Sequence, residues 1–158
     1  MVLYVVAVGR MKQSGMRDTS LQYQRRIERY LRFELREVPD AGRRDRQAAD
    51  ARRIEAHSLL KAIPSDGSVV ALTRNGAAET TAGLAARLDR WQQDRRDPVF
   101  VVGGAHGLDQ SVLDRADYTL SLSTFTLPHD LARIVLLEQL YRACSILRGE
   151  PYHKGARV

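Results

Sequence analysis

The sequence predicts an α/β domain built on a mostly parallel sheet. Short β-branched runs alternate with longer stretches of helical period along the chain, the pattern of strand–helix–strand units. Glycine or proline punctuates most of the junctions. The 158 residues, 44% hydrophobic and 28% charged, suit one globular domain, and no repeat, linker or low-complexity tract divides residues 1–158.

Each element has its own signature. Residues 3–8 are a compact apolar run ended by Gly9, a buried strand, followed by a basic loop over 10–17. Asp18, Thr19 or Ser20 is placed to cap a helix running to about Leu31, with Leu21, Ile27 and Leu31 on its apolar side. Phe33, Leu35 and Val38 form a second strand closed by Pro39, and a basic loop covers 41–46. Helical period returns over 47–63 through Ala48, Ala51, Ile54, Leu59 and Ile63, and Pro64 and Gly67 stop it. Residues 69–72 read as a third strand, with Asn75-Gly76 turning the chain. Thr80 or Thr81 caps a helix carrying Leu84, Leu88 and Trp91. Residues 98–102 form a fourth strand that runs straight into Gly103-Gly104, 108–116 a short helix and 118–122 a fifth strand. After Leu127-Pro128 a long helix spans about 130–147, with Leu131, Ile134, Val135, Leu137, Leu140, Tyr141 and Cys144 apolar. A short polar tail ends the chain.

Charge narrows the partners. Lys plus Arg number 25 against 19 Asp plus Glu, a formal charge of +6 that favours a polyanion through counterion release. Residues 25–53 hold a run of arginines, and Arg10, Lys12 and Arg17 form a second basic patch, although mixed charge on helices is commonly a solvated face. The single cysteine, Cys144, excludes an internal disulfide and a cysteine-based zinc cluster, fits a reduced cytoplasmic setting, and reads as a core or dimer-interface residue. The apolar run at the N-terminus is too short to span a membrane and lacks the basic flank of a signal peptide. Neither a membrane nor a metal is expected.

In open α/β sheets ligands sit beyond the carboxyl ends of the strands. Three such ends invite one here: Leu72-Thr73, the glycine cluster 103–107, and the small, hydroxylated stretch 121–129. The glycines let backbone approach a ligand closely, but they spell neither GxGxxG nor GxxxxGK[ST], so no dinucleotide fold or P-loop is supported.

GGAHG after a buried strand, the stretch LSLSTFTLPHDLARIVLLEQLYRA and a terminal PYHKG together resemble the ribosomal RNA large subunit methyltransferase H family, a minimal branch of the SPOUT superfamily. The opening VVAVGRMK and the segment FELREVPDAG extend the likeness over the full length. The resemblance implies a single SPOUT domain with helices on both sheet faces and a carboxyl-terminal trefoil knot. It implies S-adenosylmethionine as methyl donor, N3 of a pseudouridine in 23S rRNA as acceptor, and a homodimer in which the second subunit completes each site. Carried onto this chain, the cofactor site comprises Leu72, Gly103, Gly104, Leu122, Ser123, Thr124, Phe125, Thr126, Leu127 and Pro128. Phe125 is bulkier than the aliphatic residue the likeness leads one to expect.

Methylating an imide nitrogen requires in-line approach to the methyl group and loss of a weakly acidic proton. Tyr152 and His153 on the tail are the first candidates, an aromatic to stack on a flipped base and an imidazole to handle its proton. Arg142 is a candidate to hold a phosphate or the base carbonyls, and His129 stands beside the cofactor stretch. Arg133, one turn further, is expected to face the partner subunit or RNA; His57 and His106 have weaker claims. With no separate RNA-binding domain, the dimer surface must read its substrate, which favours an assembled ribosome over free RNA. Two other readings stand beside this one: a SPOUT methyltransferase of tRNA or another rRNA base, and a non-catalytic ribosome-binding module.

Overall fold

The computed structural model describes residues 1–42 and 47–151. Five strands alternate with five helices in the order β1 (Val2–Val8), α1 (Ser14–Ile27), β2 (Arg32–Val38), α2 (Ala48–Ala62), β3 (Ser68–Ala78), α3 (Thr81–Gln93), β4 (Pro98–Val102), α4 (Gln110–Arg115), β5 (Tyr118–Ser121) and α5 (His129–Leu147). The strands form one sheet in the order β2-β1-β4-β3-β5, and all four pairings are parallel. Parallel sheets need both faces covered. Leu3, Val5 and Ala7 of β1 point to a face packed by α1, α3 and α5, where Ile27, Leu88, Leu136, Leu137 and Leu140 are buried. Val6 and Val8 point to the other, under Ala56 and Leu59 of α2 and Val112 of α4. The period of two along one strand thus fills two cores.

Several boundaries depart from the sequence reading. The first helix begins at Ser14 rather than at a hydroxyl cap near residue 18, and Gln13 caps it without a side-chain bond. The Thr19 hydroxyl donates instead to Gly15 O within the helix, at 2.8 Å. That helix ends at Ile27, short of Leu31, and its Leu21 is 43% exposed. On α2 the buried stripe includes Glu55, while Ile54 is 46% exposed. Asn75-Gly76 does not end the third strand: Leu72 and Ala77 both pair with Leu120, so the intervening residues bow out of the ladder and β3 resumes to Ala78. Thr80 does cap α3, accepting from Gly83 N at 3.0 Å.

Arg133 is the largest correction. Expected at an RNA or subunit surface, it is wholly buried. Its guanidinium donates to Glu37 Oε1 at 2.7 Å, Val8 O at 2.9 Å and Gly9 O at 2.8 Å. These bonds staple the first turns of α5 to the carboxyl ends of β1 and β2. The orphan carbonyls that close β1 are the physical reason a charge is tolerated there.

Candidate active site

The carboxyl ends of three neighbouring strands, β4, β3 and β5, open onto one cavity of about 880 Å³, within the range of small-molecule sites. Leu72, Val102 and Leu120 form its floor, and Leu122, Leu127, Pro128 and Ala132 add apolar wall. Of the ten residues expected at the cofactor, nine line it: Leu72, Gly103, Gly104, Leu122, Ser123, Phe125, Thr126, Leu127 and Pro128. Thr124 does not. Its neighbours fold the loop on itself: Ser121 Oγ donates to Ser123 O at 3.1 Å, and Phe125 N donates to Ser123 Oγ at 2.9 Å. The hydroxyls of this stretch therefore serve first as local backbone partners.

The glycine cluster is a tight turn as well as a cavity wall. Gly107 N donates to Gly104 O at 3.1 Å. A Cβ on Gly103 would stand 2.8 Å from the Gly107 carbonyl, so this position is closed to side chains by the turn itself. A Cβ on Gly104 would meet Glu55 Oε2 at 2.9 Å and Val8 Cγ1 at 3.0 Å. Beneath the turn, Glu55 is 2% exposed; its Oε1 accepts from Ala41 N at 3.0 Å, and among the described residues no donor meets its Oε2. Burial pushes the Glu55 carboxyl above the usual range; the Ala41 N–H draws it partly back, and neighbouring Asp40 adds to the rise.

The electrostatics of the mouth are one-sided. Among the described residues, Arg52, Arg74, His106 and His129 line the cavity and no carboxylate does. Arg74 Nη1 reaches Thr126 Oγ1 at 3.2 Å, linking the bowed segment of β3 to the loop before α5. Neither Arg52 nor Arg74 is singled out as a site residue by the sequence, although Arg52 falls within the arginine run over 25–53. Arg74 follows a strand end already suspected, but nothing local marks Arg52 on α2. His129 sits at the cavity wall with its Nε2 3.4 Å from Asp130 Oδ1. Arg142 does not join it: its guanidinium pairs with Glu138 on α5, with its Nε at 2.9 Å, far along the helix. Tyr152 and His153 lie outside the described residues. Burial pushes the Cys144 thiol up to about 12, which suits the core role expected for it.

A parallel α/β sheet, a cavity at the ends of adjacent strands, and glycine and serine turns meeting around apolar walls are features that suit a nucleoside-type cofactor. Residues 1–153 match the family described as "Predicted SPOUT methyltransferase", and the chain belongs to it. S-adenosylmethionine is the methyl donor of that family. Among similar relatives, the Ribosomal RNA large subunit methyltransferase H of Anaeromyxobacter sp. (strain Fw109-5) is 50% identical over 155 residues, spanning 98% of this chain and 100% of its own. The protein of that name from Burkholderia vietnamiensis (strain G4 / LMG 22486) is 42% identical over 156 residues, again across 98% and 100%. A solved structure, a probable methyltransferase from Bordetella pertussis Tohama I, shares the fold at a TM-score of 0.56 and 16% identity, covering 90% of this chain and 93% of that one.

The cavity fits the donor. An adenine ring needs apolar walls and backbone groups that copy base pairing, which Leu72, Leu122 and Leu127 with the Gly103-Gly104 and 121–127 turns provide. Two arginines at the mouth suit an anionic second substrate. No helix among the described residues is long and apolar enough to cross a membrane, and none of their His, Cys, Asp and Glu side chains gather in threes to hold a metal ion.

Proposed function

We propose that residues 1–158 work as one SPOUT domain that methylates N3 of a pseudouridine in 23S rRNA of the assembled ribosome, in the cytoplasm and as a homodimer. The observation that carries this reading is end-to-end similarity to relatives named for large-subunit ribosomal RNA, with the GGAHG and STFTLP turns facing one cavity. S-adenosylmethionine supplies an electrophilic methyl group. The chain's own work is to hold the donor against the leucine walls, present the base in line with it, and remove the imide proton. Arg52 and Arg74 meet RNA phosphate at the mouth.

The dimer is supported by the length of α5. His129 lines the cavity, and α5 runs 19 residues away from it, about 28 Å at 1.5 Å per residue. The three residues from Glu150 to His153 span at most about 10 Å. α5 is longer than that reach, and on this reading Tyr152 and His153 act on the cavity of a second copy. Apolar surface also stays open along α5: the helix buries Leu136, Leu137, Leu140 and Cys144 inward yet leaves Leu131 and Leu147 exposed, and Phe125 in the preceding loop is 79% exposed. The trefoil knot belongs to this reading too.

Transfer of labelled methyl from S-adenosylmethionine to ribosomes lacking the modification tests the proposal, with isolated subunits, free rRNA and tRNA as comparisons. The expected result is labelling of a 23S rRNA pseudouridine in the whole ribosome. Labelling of tRNA would replace the substrate; cofactor binding without transfer to any of these RNAs would support a non-catalytic module.

A further inference from the structure

The end of α5 is built with more care than the root of an idle tail requires. The helix closes in a Schellman motif: Gly149 takes a φ of +68°, its N–H donates to Ile146 O at 2.9 Å, and Glu150 N donates to Ser145 O at 2.9 Å. Glu150 is thereby fixed in the backbone, and its carboxylate is fixed again from across the molecule. Tyr30, in the turn between α1 and β2, donates its hydroxyl to Glu150 Oε2 at 2.5 Å, a contact 120 residues apart in sequence. Tyr30 is set in turn by its neighbours. Its ring lies 6.0 Å from that of Tyr141 on α5, which lies 6.2 Å from that of Tyr23 on α1, and the Arg26 guanidinium stands 5.5 Å from the centroids of both Tyr23 and Tyr141. Partial burial, reinforced by the bond to Glu150, holds the Tyr30 phenol in its neutral, donating form by raising its pKa.

We infer that Tyr30 and Glu150 form a clasp that sets where the carboxyl-terminal tail leaves the molecule, which makes them positioning residues for methyl transfer at a cavity about one α5 length away. This rests on the reading that the tail acts on the cavity of a second copy. The chemistry of the contact fits such a role better than a role in folding. Solvent-exposed polar contacts add little to global stability. A short, charge-assisted bond with an aromatic donor locked by packing does fix direction. Only Pro151 separates Glu150 from Tyr152 in the sequence, so on that reading the direction of Glu150 bears on the reacting groups, where displacements near 1 Å cost on the order of a hundredfold in rate.

The test uses the full-length protein and unmodified ribosomes. Tyr30→Phe deletes the hydroxyl and keeps the ring; Glu150→Ala removes the acceptor; Glu150→Gln keeps an acceptor oxygen. Tyr30→Phe and Glu150→Ala are each expected to lower kcat at saturating ribosomes by about tenfold, the scale of one hydrogen bond. KM for ribosomes, cofactor affinity by calorimetry and Tm should stay near those of the parent. Glu150→Gln should recover most of kcat, and the double variant Tyr30→Phe/Glu150→Ala should be no slower than either single one. An unchanged kcat in Tyr30→Phe overturns the clasp, as does a fall in Tm or cofactor affinity that accounts for the loss. A chain lacking residues 151–158 separates this failure from failure of the tail reading. If the truncated chain is inactive while Tyr30→Phe is normal, only the clasp is lost; if it methylates normally, the tail reading falls and takes the clasp with it.

Discussion

The two edges of the sheet do different work. At the carboxyl edge the ends of β3, β4 and β5 surround a cavity whose wall is glycine, serine and leucine, with backbone turns doing the shaping. At the amino edge the root of the tail sits among Tyr23, Tyr30, Tyr141 and Arg26, where side chains do the shaping. One edge is proposed to hold the cofactor, the other to aim the groups that act on the acceptor. A single helix, α5, separates them, and Arg133 pins its start to β1 and β2. On the reading proposed above, the two half-sites stand at opposite ends of one helix and meet only when a second copy supplies the tail.

The sharpest way to break that contrast is to remove one edge's contribution. Deleting residues 151–158 is expected to abolish transfer, by on the order of 10² to 10⁴-fold, while calorimetry still detects cofactor binding. Co-expressing that truncated chain with a Gly103→Val chain sharpens the point. The valine displaces the 104–108 turn that a Cβ already meets at 2.8 Å, so each variant alone is inactive. A mixed dimer holds one intact cavity and one intact tail acting across the interface, and recovers a fraction of the activity. Failure of the mixture to recover any activity would argue that tail and cavity serve the same chain.

Arg133→Met tests what keeps the edges apart. The substitution leaves the Val8 and Gly9 carbonyls without their donor and Glu37 without its partner, and should cost about 3 kcal/mol of stability. Urea unfolding measures it, and a loss under 1 kcal/mol would remove Arg133 from its structural role. A smaller effect is expected at the glycine turn. Gly104→Ala forces its methyl against Glu55 and Val8, costing about 1–3 kcal/mol locally, and should weaken cofactor binding about tenfold. Adding Glu55→Ala should restore part of it; no restoration would place the clash elsewhere.

How legible each edge was in the sequence follows the same division. The strands were plain, because β-branched runs such as residues 98–102 carry their own signal; the strand-end rule marked the three segments that meet at the cavity, and the family resemblance named the nine cofactor-set residues that line it. Local patterns failed wherever a distant partner decides. Arg133 and Glu55 are charged residues on helices, and only the orphan carbonyls of β1 and the fold of the 40–42 loop explain their burial. Arg52 reaches the cavity only through the packing of α2. Thr19 looked like a cap and is a hydroxyl bonded within its own helix. The clasp is the extreme case, since a tyrosine and a glutamate 120 residues apart share no pattern at all.

The smallest effect expected is a pH dependence that belongs to the cavity edge alone. Burial raises the Glu55 carboxyl, so the folded chain keeps a proton there over a range where the unfolded chain has released it. Stability then falls as pH rises through that range, from the ordinary glutamate value up to the raised one, because the folded state is the one binding more protons. The neutral form is fully favourable below the range, and above it the fold carries a buried carboxylate whose Oε2 meets no donor among the described residues. Glu55→Gln keeps the shape and removes the titration. The difference in urea midpoint between variant and parent should therefore move in the variant's favour on going from about pH 5 to about pH 8. Tyr30 and Glu150, at the far edge, should leave that difference untouched; a slope that persists in Glu55→Gln would place the titrating group outside the glycine turn.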